Sequence, residues 1–258
     1  MNVQSSEQND RDRAPAPEAS SDLWATLLRV AWLAILLGLL MEVLLVALGG
    51  ALGDVLGLRP LVADLVRSVS WSVFVCVGLA VGTAVAKARV PLMGFLGLFS
   101  APLAFEASRV FHKGTLEALA ASVPGGEAVS PVMIAVVKGL EYGCLGLLVG
   151  WVSQRPWGGA VAHAAAGLLV GLTFGSVEIA LASTVAPLPP VPDLLVEGIN
   201  EVLFPVGCAL VLFSADALGK RVASAVGAGA IAVQSVHQYL GATEHRAAGA
   251  SAALGPVR

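Results

Sequence analysis

The sequence predicts an all-α integral membrane protein, a bundle of about six transmembrane helices with glycine-rich helix packing. The 258-residue chain is 57% hydrophobic and only 13% charged, and its mean hydropathy is +0.82. A soluble domain carries about 25% charged residues, so most of this surface must face lipid. Apolar runs also recur at the length of about 20 residues that crosses a hydrocarbon core about 30 Å thick. Composition and run length therefore agree on the fold class.

The elements follow in order from these runs. Residues 1–22 are polar and predict a disordered cytoplasmic tail. Residues 23–221 predict a polytopic transmembrane domain, with spans at about 25–48, 69–87, 91–111, 131–153, 160–183 and 194–215. Residues 51–68 predict an interfacial amphipathic segment that Pro60 breaks. Residues 222–258 predict a surface helix and, from about Gly241, a tail, with a seventh span over 222–240 as the alternative.

The distribution of positive charge predicts the orientation. Cytoplasmic loops carry an excess of Lys and Arg, and most of the fifteen such residues fall on the side of the N-terminus in a six-span arrangement. Both termini are therefore expected in the cytoplasm, and the protein in the cell (inner) membrane of a bacterium. The residues on that side are Arg11, Arg13, Arg29, Lys87, Arg89, Arg155, Lys220, Arg221, Arg246 and Arg258.

Glycines recur at four-residue spacing and predict close helix packing, because small residues let two helix backbones approach where lipid offers no hydrophobic drive. These glycines are Gly78 and Gly82, Gly139 and Gly143, Gly146 and Gly150, and Gly167, Gly171 and Gly175. Gly143-Cys144 in the fourth span and Gly207-Cys208 in the sixth favour an internal repeat of two-helix units. The acidic residues and the Gly-Cys pairs of these two spans do not share one register. Both align only if about one helical turn is inserted in one span.

Glutamates inside the predicted spans are the main functional signal. An ionisable group at membrane depth costs on the order of 3 kcal/mol, so such residues face the bundle interior and mark pathways or pairs. At 1.5 Å per residue, four of them lie at a similar depth, about 20 to 25 Å from the cytoplasmic side. Glu178 and Glu197 are shallower and can also be interpreted as interfacial. The full set of candidates is Glu42, Glu106, Glu141, Glu178, Glu197 and Glu201.

Polar neighbours and two prolines accompany these acids. Lys138 lies one turn before Glu141, at the i, i+3 spacing that lets the two pair. Asn200 lies beside Glu201, and Pro205 cannot donate a hydrogen bond to the Glu201 carbonyl, which predicts a kink and a cluster of oxygens that suits a hard cation. Pro102 similarly leaves the carbonyl of Leu98 without its helical donor and predicts a second kink.

Several functions are excluded or disfavoured. A net charge of -3 without a basic stripe excludes nucleic-acid binding. Neither a phosphate-binding loop nor a metal-binding or nucleophile–base motif is present, so an enzyme is disfavoured and no cofactor is predicted beyond a bound cation or proton, with any metal unknown. The three cysteines indicate small apolar residues. The expected partners are the lipid bilayer and either further copies of the chain or another membrane subunit.

Two function classes remain. The first is a small ion- or proton-coupled transporter or channel, in which the glutamates bind or relay a cation or proton and Lys138 adjusts their charge. The second is a non-transporting subunit or scaffold of a larger complex, in which the same glutamates and Lys138 hold the helices together. Both classes predict the same fold. They differ in whether the glutamates exchange a bound proton or cation or keep fixed contacts that hold the helices together.

Overall fold

The computed structural model describes residues 17–53, 58–84, 89–120, 129–185, 187 and 189–253. Within these residues the chain is helical and contains no strand, which confirms the predicted fold class. The long helices are α1 (Pro17–Ala51), α2 (Leu58–Val81), α3 (Arg89–Ala118), α4 (Pro131–Val152), α5 (Ala160–Val185) and α6 (Val191–Ala253). A short 3-10 turn, Gly82–Ala84, follows α2.

Six helical segments in the described part of the chain are long and apolar enough to cross a bilayer. They are Leu23–Ala51, Pro60–Val81, Arg89–Ala118, Pro131–Val152, Ala160–Val185 and Val191–Arg221. Large apolar side chains point outward from them, including Leu103, Val132 and Val161, with exposed fractions of 72%, 71% and 84%. An apolar exterior suits a helix bundle that lipid surrounds, since every backbone hydrogen bond of a helix is satisfied internally. The protein is therefore a multi-pass membrane protein.

The second span differs from the prediction. Residues 51–68 were expected to form a separate interfacial segment, but α2 runs without interruption from Leu58 to Val81. Pro60 was expected as a break, yet it lies in the first turn of α2, where a missing N–H removes no helical hydrogen bond. The charged residues Asp64 and Arg67 are paired at 3.2 Å within the beginning of this helix. The interfacial assignment was therefore wrong for residues 58–68, whereas residues 54–57 lie outside the described residues.

Both ends of the helical region are longer than predicted. Helix α1 begins at Pro17, so residues 17–22, expected in the disordered tail, are helical. Proline is favoured at the first position of a helix, where its missing N–H removes no helical hydrogen bond. Helix α6 extends to Ala253, past the expected end near Gly241. Residues 1–16 and 254–258, where the rest of the predicted tails falls, lie outside the described residues.

The chain forms two compact units. The first ends at Ala215 and holds five helices and the beginning of α6, and the second begins at Asp216. Helix–helix packing in the first unit joins α1 to α2, α2 to α3, α3 to α4 and α4 to α5. In the second unit Lys220 pairs with Asp216 at 2.8 Å, one turn apart on the same helix. The sixth span ends at Arg221, and the predicted surface helix over 222–240, with a seventh span as its alternative, stays a prediction.

Glycines create the closest helix contacts of the first unit, as predicted. A Cβ atom built on Gly139 of α4 would lie 2.8 Å from the carbonyl oxygen of Leu98 in α3. One on Gly171 of α5 would lie 2.6 Å from the carbonyl oxygen of Val202 in α6. Both distances are too short for any side chain, so the backbones themselves are in contact. The internal repeat stays a prediction.

Candidate functional site

An ion cluster lies among α4, α5 and α6. The ammonium group of Lys138 is 3.0 Å from Oε2 of Glu141 and 2.8 Å from Oε1 of Glu178. It also contacts Oε2 of Glu201 directly. The four residues, Lys138, Glu141, Glu178 and Glu201, are called the lysine–glutamate cluster below. One carboxylate oxygen from each glutamate lies within 4.8 Å of the others.

Helix periodicity and glycine packing bring these side chains together. Lys138 and Glu141 share one face of α4 because they are one turn apart, which confirms the predicted pair. Glu201 lies close to Lys138 because α6 packs against α5 through Gly171 and Gly175. A Cβ built on Gly175 would be 3.2 Å from the Cβ of Glu201. Glu178, interpreted from the sequence as shallow and supporting, lies one turn beyond Gly175 and contacts Lys138.

The cluster is largely buried, and it contains more acidic than basic groups. The exposed fractions of the Lys138 and Glu141 side chains are 9% and 1%, and those of Glu178 and Glu201 are 18% and 16%. One ammonium group faces three carboxylates, so full ionisation leaves an excess of negative charge. Oε1 of Glu141 is buried and has no hydrogen-bond partner among the described residues. Three close carboxylate oxygens can share protons or hold a cation.

A cavity of about 460 Å³ reaches one face of the cluster. Lys138 and Glu201 lie in its wall, together with the candidates Glu42, Glu197 and Asn200. Glu42 of α1 is 7% exposed and accepts a hydrogen bond of 2.8 Å from Ser68 of α2. Some of the candidates predicted from the sequence thus lie in the buried cluster, and others lie in the wall of the cavity beside it.

Glu106 is the exception among the predicted glutamates. Its side chain is 53% exposed and pairs with Arg109 at 3.4 Å on the same face of α3. It does not belong to the lysine–glutamate cluster, in which Lys138 pairs with Glu141, Glu178 and Glu201. Helical rise predicts the height of a residue along its helix but not its direction around the helix. Its common depth with Glu141 and Glu201 and its role as an ion- or proton-binding candidate stay predictions.

The two prolines lie inside continuous helices, Pro102 in α3 and Pro205 in α6. The carbonyl of Leu98, which Pro102 cannot bond, faces Gly139. The carbonyl of Glu201, which Pro205 cannot bond, faces Gly171, where an added Cβ would be 3.0 Å away. Each carbonyl thus packs on a glycine of the neighbouring helix, and the predicted kinks stay predictions.

Sequence reasoning missed several residues of the cavity wall. Ser68 and Trp71 lie one turn apart on α2, and the expected break at Pro60 had placed Ser68 outside the membrane span. Tyr142 is 1% exposed and follows Glu141 on α4, and it was not among the predicted candidates. The signal that could have found Ser68 and Trp71 is their helical spacing from Asp64 and Arg67, which places all four on one face of α2.

Comparison with known protein families, with curated proteins and with solved structures finds no match to this chain. The site must therefore be interpreted from its own geometry.

Proposed function

We propose that this protein is a small ion- or proton-coupled transporter or channel in which the lysine–glutamate cluster carries the exchangeable charge. The observation that supports the proposal is the meeting of three glutamates from three helices on one lysine ammonium. A static salt bridge needs one carboxylate for one ammonium. The surplus carboxylates call for protons or a cation, which is the property that a carrier requires.

Access supports an exchangeable cluster. Lys138 and Glu201 border the cavity, whereas Glu141 has a buried oxygen without a partner. A proton or small cation that enters through the cavity meets Lys138 and Glu201 first and the buried glutamate next. The lysine serves as a tethered positive charge that keeps the glutamates from repelling one another while the site is empty.

The test is flux into lipid vesicles that contain the purified protein. Wild-type vesicles are expected to show proton or cation flux above protein-free vesicles, and Glu141→Gln is expected to lower it to that background. Glutamine preserves the side-chain shape and removes the titratable charge. Glu106→Gln is the matched control, because Glu106 lies in a span but outside the cluster, and it should leave the flux unchanged. Equal flux in wild type and Glu141→Gln contradicts the proposal.

A second candidate is a non-transporting membrane subunit or scaffold. The observation that favours it is that Lys138 ties α4, α5 and α6 together through direct ion pairs. On this alternative the cluster is structural, and partner subunits or further copies of the chain cover part of the apolar exterior. Glu141→Gln would then lower the thermal stability or the recovery of a complex, with flux at background in every variant, wild type included.

A further inference from the structure

The cavity beside the cluster has the size and position of a ligand site. Its volume of about 460 Å³ falls in the range of about 300 to 1,000 Å³ that small-molecule sites occupy. Its wall includes Gly49 near the end of α1 and Pro192 at the beginning of α6, so one end lies where these helix ends meet. Lys138, Glu201 and Phe204 form the wall at the other end, deeper in the bundle.

The charges in the wall leave carboxylates uncompensated. Three basic residues lie in the wall, and each is already paired with an acid. Arg67 pairs with Asp64, Arg109 pairs with Glu106, and Lys138 pairs with the three glutamates of the cluster. Glu42 and Glu197 also line the cavity, and no basic side chain of the described residues forms an ion pair with either of them. Two carboxylates of the wall therefore have no ion pair within the described residues.

Glu42 is the more buried of these two carboxylates. The residue is 7% exposed, so more than nine-tenths of it is withdrawn from solvent. Ser68 donates a hydrogen bond to Oε2. A buried carboxylate with a hydrogen bond but no ion pair is costly unless a positive group completes it. The cavity is the space in which that group would lie.

The aromatic side chains of the wall narrow the class of ligand. Trp71 packs edge-on against Tyr142 and Phe204, with ring centroids 5.5 and 6.4 Å apart, and all three line the cavity. Phe105 adds a fourth ring. Aromatic faces attract cations, most strongly where water is excluded, and they accept apolar groups equally well. A hydrated metal ion would gain little from such a wall.

We propose that the cavity binds an organic cation, an ammonium group on an apolar body, with Glu42 and Glu197 facing the positive charge and Trp71 and Phe204 packing on the body. This inference rests on the proposed transport function for its biological meaning, and it names the class of substrate. Binding at the cavity places the positive charge next to Lys138 and Glu201. A positive charge at this position disfavours a second cation or proton on the nearby cluster, which couples the two binding events.

The test measures binding of three probes of similar size to the full-length protein in detergent, by equilibrium dialysis. They are phenyltrimethylammonium, its uncharged isostere tert-butylbenzene, and the anion benzenesulfonate. We expect saturable binding of the cation. The affinity for each of the other two probes should be weaker by about tenfold or more, because only the cation neutralises the carboxylates. Glu197→Gln should weaken cation binding about tenfold. Glu117→Gln should leave it unchanged, because Glu117 is mostly exposed and neither it nor its partner Lys113 lines the cavity.

Glu42→Gln is expected to have a similar effect, and Glu197→Gln keeps the test decisive if the more buried Glu42 variant fails to fold. Equal affinity for phenyltrimethylammonium and tert-butylbenzene, preference for benzenesulfonate, or no saturable binding would each overturn the inference. Because binding is measured without a membrane, the two proposals can fail separately. Cation binding with background flux contradicts transport alone, and flux without cation binding contradicts the cavity assignment alone.

Discussion

At the scale of single residues, Lys138 decides the character of the site. Its ammonium group contacts Glu141, Glu178 and Glu201, which come from three different helices. The pair with Glu141 follows from their spacing on one helix and could be predicted. The contacts with Glu178 and Glu201 could not, because they depend on how α5 and α6 rotate about their axes, which no local pattern records.

Replacement of Lys138 tests its role as the shared positive charge. Lys138→Met leaves the glutamates without their ammonium group, and loss of one partner of a buried ion pair destabilises a protein by about 3 to 5 kcal/mol. We expect a lower free energy of unfolding in denaturant titration of the detergent-solubilised protein, and partial recovery when Glu201→Gln is added. Recovery is expected because the second change removes one of the repelling carboxylates.

Lys113→Met provides the matched control for that experiment. Lys113 lies 3.9 Å from Glu117 on the same helix, and both side chains are mostly exposed, with exposed fractions of 65% and 60%. Exposed pairs contribute little to stability, so this variant should unfold like the wild type. Equal destabilisation by the two lysine substitutions would show that Lys138 does not hold a set of buried charges.

At the scale of helices, the glycines position the cluster. Gly171 and Gly175 of α5 bring that helix against Val202 and Glu201 of α6. The four-residue spacing of these glycines was readable from the sequence, and so was the packing that it produces. The sequence does not show which helix each glycine faces, because spacing along one helix does not record how neighbouring helices are arranged around it.

Gly171→Ala tests this packing. The added Cβ would lie within 3.0 Å of three backbone atoms in α6, so the helices must separate, and overpacking of this kind costs about 1 to 3 kcal/mol. We expect a lower midpoint of thermal unfolding, together with reduced flux, because Glu201 moves away from Lys138. Gly114→Ala is the control, since nothing lies within 4 Å of its added Cβ. A neutral Gly171→Ala variant would contradict close packing of α5 on α6.

The three prolines show that the effect of proline depends on its position in the helix. Pro60 was expected to end an element and instead stands in the first turn of α2, whereas Pro102 and Pro205 lie inside helices. Proline removes a hydrogen bond only where a donor was needed, so its effect depends on its distance from the beginning of the helix. Sequence reasoning had no means to locate the beginning of α2, because its first turns carry the charged residues Asp64 and Arg67.

At the scale of the whole chain, length and hydropathy were sufficient for the fold class. All six predicted spans overlap helices that can cross a bilayer. Their boundaries differ because helices continue beyond the hydrocarbon core into residues that are no longer apolar, as in α1, α3 and α6. Hydropathy indicates which residues can lie in the hydrocarbon core. The positions of the helix ends depend instead on caps and turns such as the one at Gly53, whose φ is 94°.

An even number of spans predicts that both termini lie on the same side, and the charge distribution predicts that this side is the cytoplasm. Reporter domains that fluoresce only in the cytoplasm should therefore be active when fused after residue 258 or before residue 1. The same reporter inserted at residue 125, between α3 and α4, should be inactive. Activity at only one terminus would contradict the six-span topology, and inactivity at both would reverse the orientation.

If the lysine–glutamate cluster holds exchangeable charge within the membrane, infrared difference spectroscopy of the purified protein in lipid should detect that charge. Protonated and ionised carboxyl groups absorb at different frequencies, so a change of pH or cation concentration should change the band of buried carboxyl groups in wild type. That change should be lost or strongly reduced in Glu141→Gln and retained in Glu106→Gln. A carboxyl spectrum that responds neither to pH nor to cations, or that responds identically in Glu141→Gln, would contradict the claim.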